Sequence, residues 1–190
     1  MPKLAPSKRG KAAIAAVLAV AVGGLVTMSG ERVPDDVALA AQFLVKPWEG
    51  RELRAYPDPA TGGAPWTICD GDTKGVKPGM QETPAGCDRR LVRRMGEFRG
   101  QLVACVPGFA GKPLSWRAMM NSLAYNIGTG AACRSTAARL GAAGRFVDSC
   151  NAATAFNKAS GRVFIGLVNR REMGDARRIG EGELCVSGLK

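Results

Sequence analysis

Residues 48–73 read WEGRELRAYPDPATGGAPWTICDGDT. Two acids, Glu49 and Asp58, stand nine positions apart among glycines, prolines and aromatics, and Thr67 follows after another nine. The alternation at Leu53 and Ala55 predicts hairpins over 51–73, as do the turn residues Pro57-Asp58-Pro59 and Gly62-Gly63 and the short run Trp66-Thr67-Ile68. A pair of carboxylates on opposite sides of a cleft suits cleavage of a glycosidic bond, in which one acid donates a proton and the other directs water or attacks. The surroundings of the segment decide whether that spacing means anything.

Outside the hairpins the pattern is helical. Pro34-Asp35-Asp36 starts a helix with an acidic first turn, Val37, Ala40, Ala41 and Leu44 give it one apolar face, and Pro47 ends it. Thr83 caps a helix in which Leu91, Val92, Met95, Phe98, Leu102 and Val103 share a face, closed by Pro107 and Gly108. Ser115 opens a hydrophobic helix through Trp116, Met119, Met120, Leu123 and Tyr125 that stops at Gly128. Shorter helices are expected over 131–141 and 145–157, and a last one over 166–179. The outline is α+β but mainly helical, with a small β-hairpin lobe and a larger helical lobe.

At 190 residues the chain suits one domain plus an extension. It contains no histidine, which removes Ser-His-Asp and Cys-His nucleophilic catalysis, His-ligated zinc hydrolysis and any imidazole shuttle. Carboxylates are the acid–base groups that remain, and neither a cofactor nor a metal is expected. Net charge is +11, of which Lys3, Lys8, Arg9 and Lys11 supply four, leaving +7 beyond residue 11. A basic exported protein is drawn to anionic polymers or membrane surfaces. No finger spacing, stacking-aromatic motif or basic-region heptad points to nucleic acid.

Residues 12–29, AAIAAVLAVAVGGLVTMS, carry no charge and follow the basic run. As a helix they would span about 27 Å, close to the hydrocarbon thickness of about 30 Å. The flanking positive charge predicts a cytoplasmic N-terminus and an exported body. Six alanines, two adjacent glycines, a threonine and a serine make the stretch a poor permanent span. A cleaved signal peptide and a permanent anchor compete with the preferred reading, a weak signal anchor that inserts and later leaves. The expected order is a basic cytoplasmic tail (1–11), the anchor (12–29), a linker (30–34) and the catalytic domain (35–190).

Cysteines stand at 69, 87, 105, 133, 150 and 185, with no CxxC among them. An even, well-spread set in an exported chain predicts three disulfides, and sequence alone leaves about 15 pairings open. Chain proximity favours Cys133–Cys150, Cys69–Cys87 and Cys105–Cys185.

Within the quoted segment, Glu49 sits at a helix end beside Trp48 and Gly50, where partial burial favours a protonated carboxyl. Asp58, on a turn, is suited to staying ionised and orienting water, and Thr67 offers a hydroxyl from the next strand. Each has an ordinary alternative: a solvated helix-end acid, a turn aspartate, a strand threonine. Their coincidence in a histidine-free, basic, exported protein favours the chemical reading.

The segment resembles the phage-type lysozymes, glycoside hydrolase family 24. The matching residues are Glu49-Gly50, Leu53, Ala55-Tyr56-Pro57-Asp58, Trp66-Thr67-Ile68-Cys69, Gly71 and Thr73. SLAYNIGTGAACRSTAARL (122–140) is similar to that family's central helix, and FNKASGRVFIGLVNRRE (156–172) to its C-terminal signature. The resemblance covers about residues 36–186 and implies a lysozyme-like fold and a muramidase that hydrolyses the β-1,4 bond between N-acetylmuramic acid and N-acetylglucosamine. It implies Glu49 as general acid, with Asp58 and Thr67 placing the water. Inversion is the simplest outcome and needs carboxyls roughly 6.5–9.5 Å apart. It also places Asn126, Thr136, Asn169 and Arg170 near the glycan cleft or the lobe interface, where capping and packing are their alternative roles.

Two departures stand out. PATGGAPW lengthens the Asp58–Thr67 interval, and Asp72 replaces a histidine common in the family, so an ion pair there is lost or replaced. With the N-terminal stretch, the expected protein is a monomeric endolysin of the signal-anchor-release type. It would sit in the host inner membrane as a single-pass protein with a periplasmic catalytic domain, inactive until released to the periplasm to act on peptidoglycan. A membrane-tethered, inactive peptidoglycan-binding module is the alternative from another class. A lytic transglycosylase using one glutamate is a third reading, which the Asp58 and Thr67 matches disfavour.

Overall fold

The computed structural model describes residues 4–23, 32–58 and 63–189. The first helix, α1 (Lys8–Gly23), begins within the stretch expected to be a basic tail. Residues 24–31, which hold the end of the expected anchor and the start of the linker, lie outside the described residues. Among the described residues no helix is long and apolar enough to cross a membrane.

Instead, α1 packs on the body. Gly10, Ala13 and Val17 recur at helical spacing and are buried, with Ile14 partly buried beside them. At Gly10 α1 packs tightly on α9 (Glu181–Ser187): a Cβ there would run into Ser187 Oγ. Ala13 and Val17 join Val33, Val37, Leu39, Leu44, Met95 and Leu184 in one apolar cluster.

The short helix α2 (Asp35–Ala40) has the expected acidic first turn. Asp36 is fully buried and held by Arg99 at 2.9 Å and Arg117 at 3.2 Å. The helix widens into a π-type turn over Ala41–Val45 and ends at Lys46-Pro47.

Strands β1 (Glu52–Pro57) and β2 (Trp66–Cys69) form the expected antiparallel hairpin, pairing Tyr56 with Thr67 and Pro57 with Trp66. Thr83 caps α3 (Pro84–Cys105), its hydroxyl accepting from the Gly86 N–H at 3.0 Å. The hydrophobic α4 (Leu114–Ile127) runs through the larger lobe, where fully buried Trp116 donates to Ser149 Oγ at 2.7 Å.

The C-terminal part departs from expectation. The helix expected over 131–141 is two, α5 (Thr129–Cys133) and α6 (Thr136–Ala142), with Ser135 capping the second. The segment expected over 145–157 forms α7 (Phe146–Ala153), and a small hairpin, β3 (Lys158–Ala159) with β4 (Arg162–Val163), follows it. The last expected helix stops early as α8 (Ile165–Arg171), and α9 is additional.

The disulfides are Cys69–Cys87, Cys105–Cys133 and Cys150–Cys185. The first agrees with the expectation from chain proximity and the other two correct it. Between Cys133 and Cys150 the chain builds α6 and α7, which turn Cys150 toward α9 while Cys133 stays at the end of α3.

Candidate active site

Glu49 closes the first structural unit of the body. Its N–H donates to Val45 O at 2.9 Å, so it sits on the last helical turn before β1. Trp48 Nε1 donates to Ile179 O at 2.9 Å, and the Arg178 guanidinium stacks 3.8 Å from the Trp48 ring. The Glu49 side chain is 23% exposed, and Arg170 Nη1 donates to its Oε1 at 2.6 Å.

Arg170 heads a buried charge network. Its Nε lies 3.3 Å from Glu181 Oε1, and Glu181 also takes Arg171 at 2.5 Å and the Ser122 hydroxyl at 2.7 Å. Arg171 reaches Asn126 Oδ1 and Phe156 O. Burial works against the Arg170 charge, but Glu181 and then Glu49 outweigh it and hold the guanidinium above its ordinary value. Arg170 Nη2 is buried without a hydrogen-bond partner among the described residues.

Asp58 and Thr67 come from the hairpin. Thr67 is buried on β2 opposite Tyr56, and Asp58 is half-buried just past the end of β1. Residues 59–62, which form most of the lengthened turn, lie outside the described residues. Burial, followed by Glu52, Asp58 and Glu49, raises the Tyr56 hydroxyl above its ordinary value.

A second set of charges steadies the hairpin. Arg51 pairs with buried Asp70 at 2.6 Å and with Asp88 at 2.8 Å. Tyr125 Oη donates to Asp70 O at 2.7 Å, and burial with Glu49, Asp72 and Asp70 keeps that hydroxyl protonated well above its usual range. Asp72, where a histidine was expected from the resemblance, is buried and paired with Arg90 at 3.0 Å and Arg94 at 3.1 Å. The ion pair is replaced rather than lost.

The other candidates separate. Asn126 is exposed and tied to Arg171, Asn169 is half-buried on α8, and Thr136 is exposed on the first turn of α6. No described hydrogen bond joins Thr136 to Glu49 or Arg170.

The match to known families is direct. The family model described as Phage lysozyme matches residues 46–174. The chain belongs to the phage lysozyme family. It is a lysozyme, a muramidase, and its fold is lysozyme-like. It is similar to the SAR-endolysin of Pseudomonas phage phiKMV, with 32% identity over 127 residues, 65% of this chain and 76% of that protein. It is also similar to the SAR-endolysin of Enterobacteria phage P21, with 29% identity over 124 residues, 65% of this chain and 70% of that one. Among solved structures, the endolysin of Escherichia coli O157:H7 phage FAHEc1 superposes with a TM-score of 0.65 at 25% identity, covering 84% of this chain and 96% of that chain.

Two parts of the lysozyme's site escaped sequence reasoning. Glu181 bridges the paired arginines from a helix that the polar run EGELCVS did not announce. The signal was there in Arg170-Arg171, two adjacent cations ending the helix IGLVNRR, whose first four residues are apolar, and buried there they need counter-charges. Tyr125 lies on a hydrophobic helix in the sequence, and its hydroxyl's bond to Asp70 O links it to the hairpin.

Proposed function

We propose that this lysozyme is an endolysin cleaving the β-1,4 bond between N-acetylmuramic acid and N-acetylglucosamine of host peptidoglycan, with Glu49 as general acid. The observation that carries the assignment is the Glu49 setting. A partly buried carboxyl at a helix end meets Arg170 at 2.6 Å, and its other oxygen lies 3.7 Å from where a Cβ on Gly71, just past β2, would stand. Glu49 protonates the glycosidic oxygen as the bond to the anomeric carbon breaks. Arg170 then stabilises the carboxylate left behind. Water held by Asp58 and the Thr67 hydroxyl attacks the opposite face of the sugar and loses its proton to Asp58, with inversion.

Arg170 is assigned to Glu49 rather than to the glycan, because it is 4% exposed and its partners are carboxylates. Asn126, which is bonded to Arg171, and Asn169, the neighbour of Arg170 on α8, are the candidates for sugar contacts tied to this network, and Thr136 has no described hydrogen bond to it. Clearing of cell-wall suspensions by the released enzyme, against Glu49→Gln, tests the assignment. Equal clearing by the two would remove Glu49 as the acid. Membership of the lysozyme family favours an enzyme over the inactive binding module.

The N-terminal stretch is assigned to regulation. Residues 12–29 hold the monomeric enzyme at the inner membrane with its body in the periplasm, and exit from the bilayer activates it. Similarity to two SAR-endolysins supports this reading. So do the weak apolar character of the stretch and the packing of α1 against the body. Fractionation before and after an uncoupler tests it, and a protein that never leaves the membrane fraction would refute release.

A further inference from the structure

The α1 helix brings Arg9 to the opposite end of the chain. Arg9 Nε donates to Glu183 Oε1 and Nη2 to Glu183 Oε2, each at 2.7 Å. Its Nη1 donates to Asp175 O at 2.6 Å and Nη2 to Met173 O at 2.8 Å. One guanidinium thus grips both sides of the 173–183 loop, a carboxylate on one and two carbonyls on the other. Glu183 is 1% exposed, so without Arg9 a buried carboxylate would lose its cationic partner. Ser7 and the Gly180 N–H, at 3.3 Å, also hydrogen-bond to the carboxylate, but Arg9 is the cation among these partners.

The gripped loop is tight and touches the acid from two directions. Gly174 adopts positive φ, and a Cβ there would collide with the backbone of Arg178 and Gly180, so the loop neck is packed backbone to backbone. On one side, Ile179 O takes the Trp48 indole N–H and Arg178 stacks on the Trp48 ring, next to Glu49 in sequence. On the other side the loop runs into α9, whose Glu181 holds Arg170 against Glu49.

We propose that Arg9 is a positioning residue for Glu49, fixing through the 173–183 loop both the Trp48 contact and the Glu181–Arg170 support of the acid, and that it does so only after the N-terminus has left the membrane. The timing rests on the anchor-release reading. With residues 12–29 in a bilayer, Arg9 lies on the cytoplasmic side, and a hydrocarbon layer of about 30 Å separates it from Glu183. The ion pair closes only when a charged N-terminus has crossed completely. Partial exit of the apolar stretch leaves the clamp open.

The positioning role is tested on full-length chain made in membrane-free, oxidising synthesis, with soluble uncross-linked peptidoglycan strands as substrate. The expected result for Arg9→Gln is a kcat about tenfold lower with KM within about twofold of wild type, and Arg9→Lys recovering part of the loss. Lys8→Gln and Lys11→Gln, which remove neighbouring exposed charges, leave both constants unchanged. Thermal unfolding gives the folded fraction of each variant. If Arg9→Gln keeps the wild-type kcat per folded molecule, even with a lowered Tm, the clamp is only structural and the proposal is overturned. A rise in KM alone overturns it too, because it would make Arg9 a substrate contact. The release reading is judged separately, by moving wild type and Arg9→Gln from membrane to soluble fraction with an uncoupler. Wild type that stays in the membrane refutes the timing but leaves the kcat result to decide the positioning role.

Discussion

Arg170 lies 2.6 Å from Glu49 across a sequence separation of 121 residues, and the same guanidinium leans on Glu181. The candidate acid is therefore held by the C-terminal end of the lobe. Replacing Arg170 by Met leaves two carboxylates without their shared cation, one of them fully buried. The expected cost is about 3–5 kcal/mol in urea unfolding, with clearing activity reduced in the surviving folded protein. A loss below about 1 kcal/mol would mean that the network does not hold the acid as described.

Glu49→Gln keeps the shape and a hydrogen-bonding partner for Arg170 while removing the proton donor. Clearing should fall at least a hundredfold, about what a positioned acid contributes, with the urea midpoint close to wild type.

Acid should unfold this protein through its paired carboxylates. The hydrogen bond from Arg178 is the main cause holding Asp175 down at about 2. Arg90 holds Glu82, and Lys74 with Arg94 holds Glu97, below their ordinary values. Each folded-state value is lower than the unfolded one, so the stabilisation is complete above about pH 4.5 and disappears as pH falls toward about 2. Urea midpoints measured from pH 8 to 2 should be level at first and then decline. A midpoint that rises on acidification would contradict these pairs.

The cross-links are checkable directly. Peptide mapping without reduction should recover 105–133 and 150–185 pairs, and none joining 133 to 150. Removing Cys105–Cys133, which closes a 28-residue separation, should cost about 3–4 kcal/mol by the loop-entropy estimate.

Asp72→Ala should destabilise the hairpin by about 1–3 kcal/mol, the range for removing a buried charged partner whose neighbours keep other contacts. Arg90 retains Glu82, and Arg94 retains Glu97. Hydrogen exchange at Ile68, whose N–H donates to Asp72 O, should report the loosening first.

What was legible in the chain is what local chemistry decides. The 51–73 hairpin followed from alternation and turn residues, α3 from its Thr83 cap and apolar face, and α2 from its acidic first turn. What was not legible depends on partners far away in sequence. IGLVNRREMGDARRI keeps a helical pattern past Arg171, but Gly174 takes a positive φ and its packed neck turns the chain away. EGELCVS, with two glutamates, gives no sign of a buried helix, because both are satisfied by Arg9, Arg170 and Arg171, none of them visible as partners from local spacing. The site divides along the same line. Glu49, Asp58 and Thr67 lie within one motif, whereas Glu181 belongs to the site only through folding.

Every cysteine in the chain lies at or beyond position 69. The covalent staples are thus confined to the part of the molecule from β2 onward. The described residues before them, from α1 through α2 to Glu49, are held to the body by packing, hydrogen bonds and charge, with no covalent cross-link. Closing all three cross-links therefore makes no demand on α1, which can dock before or after the thiols are oxidised.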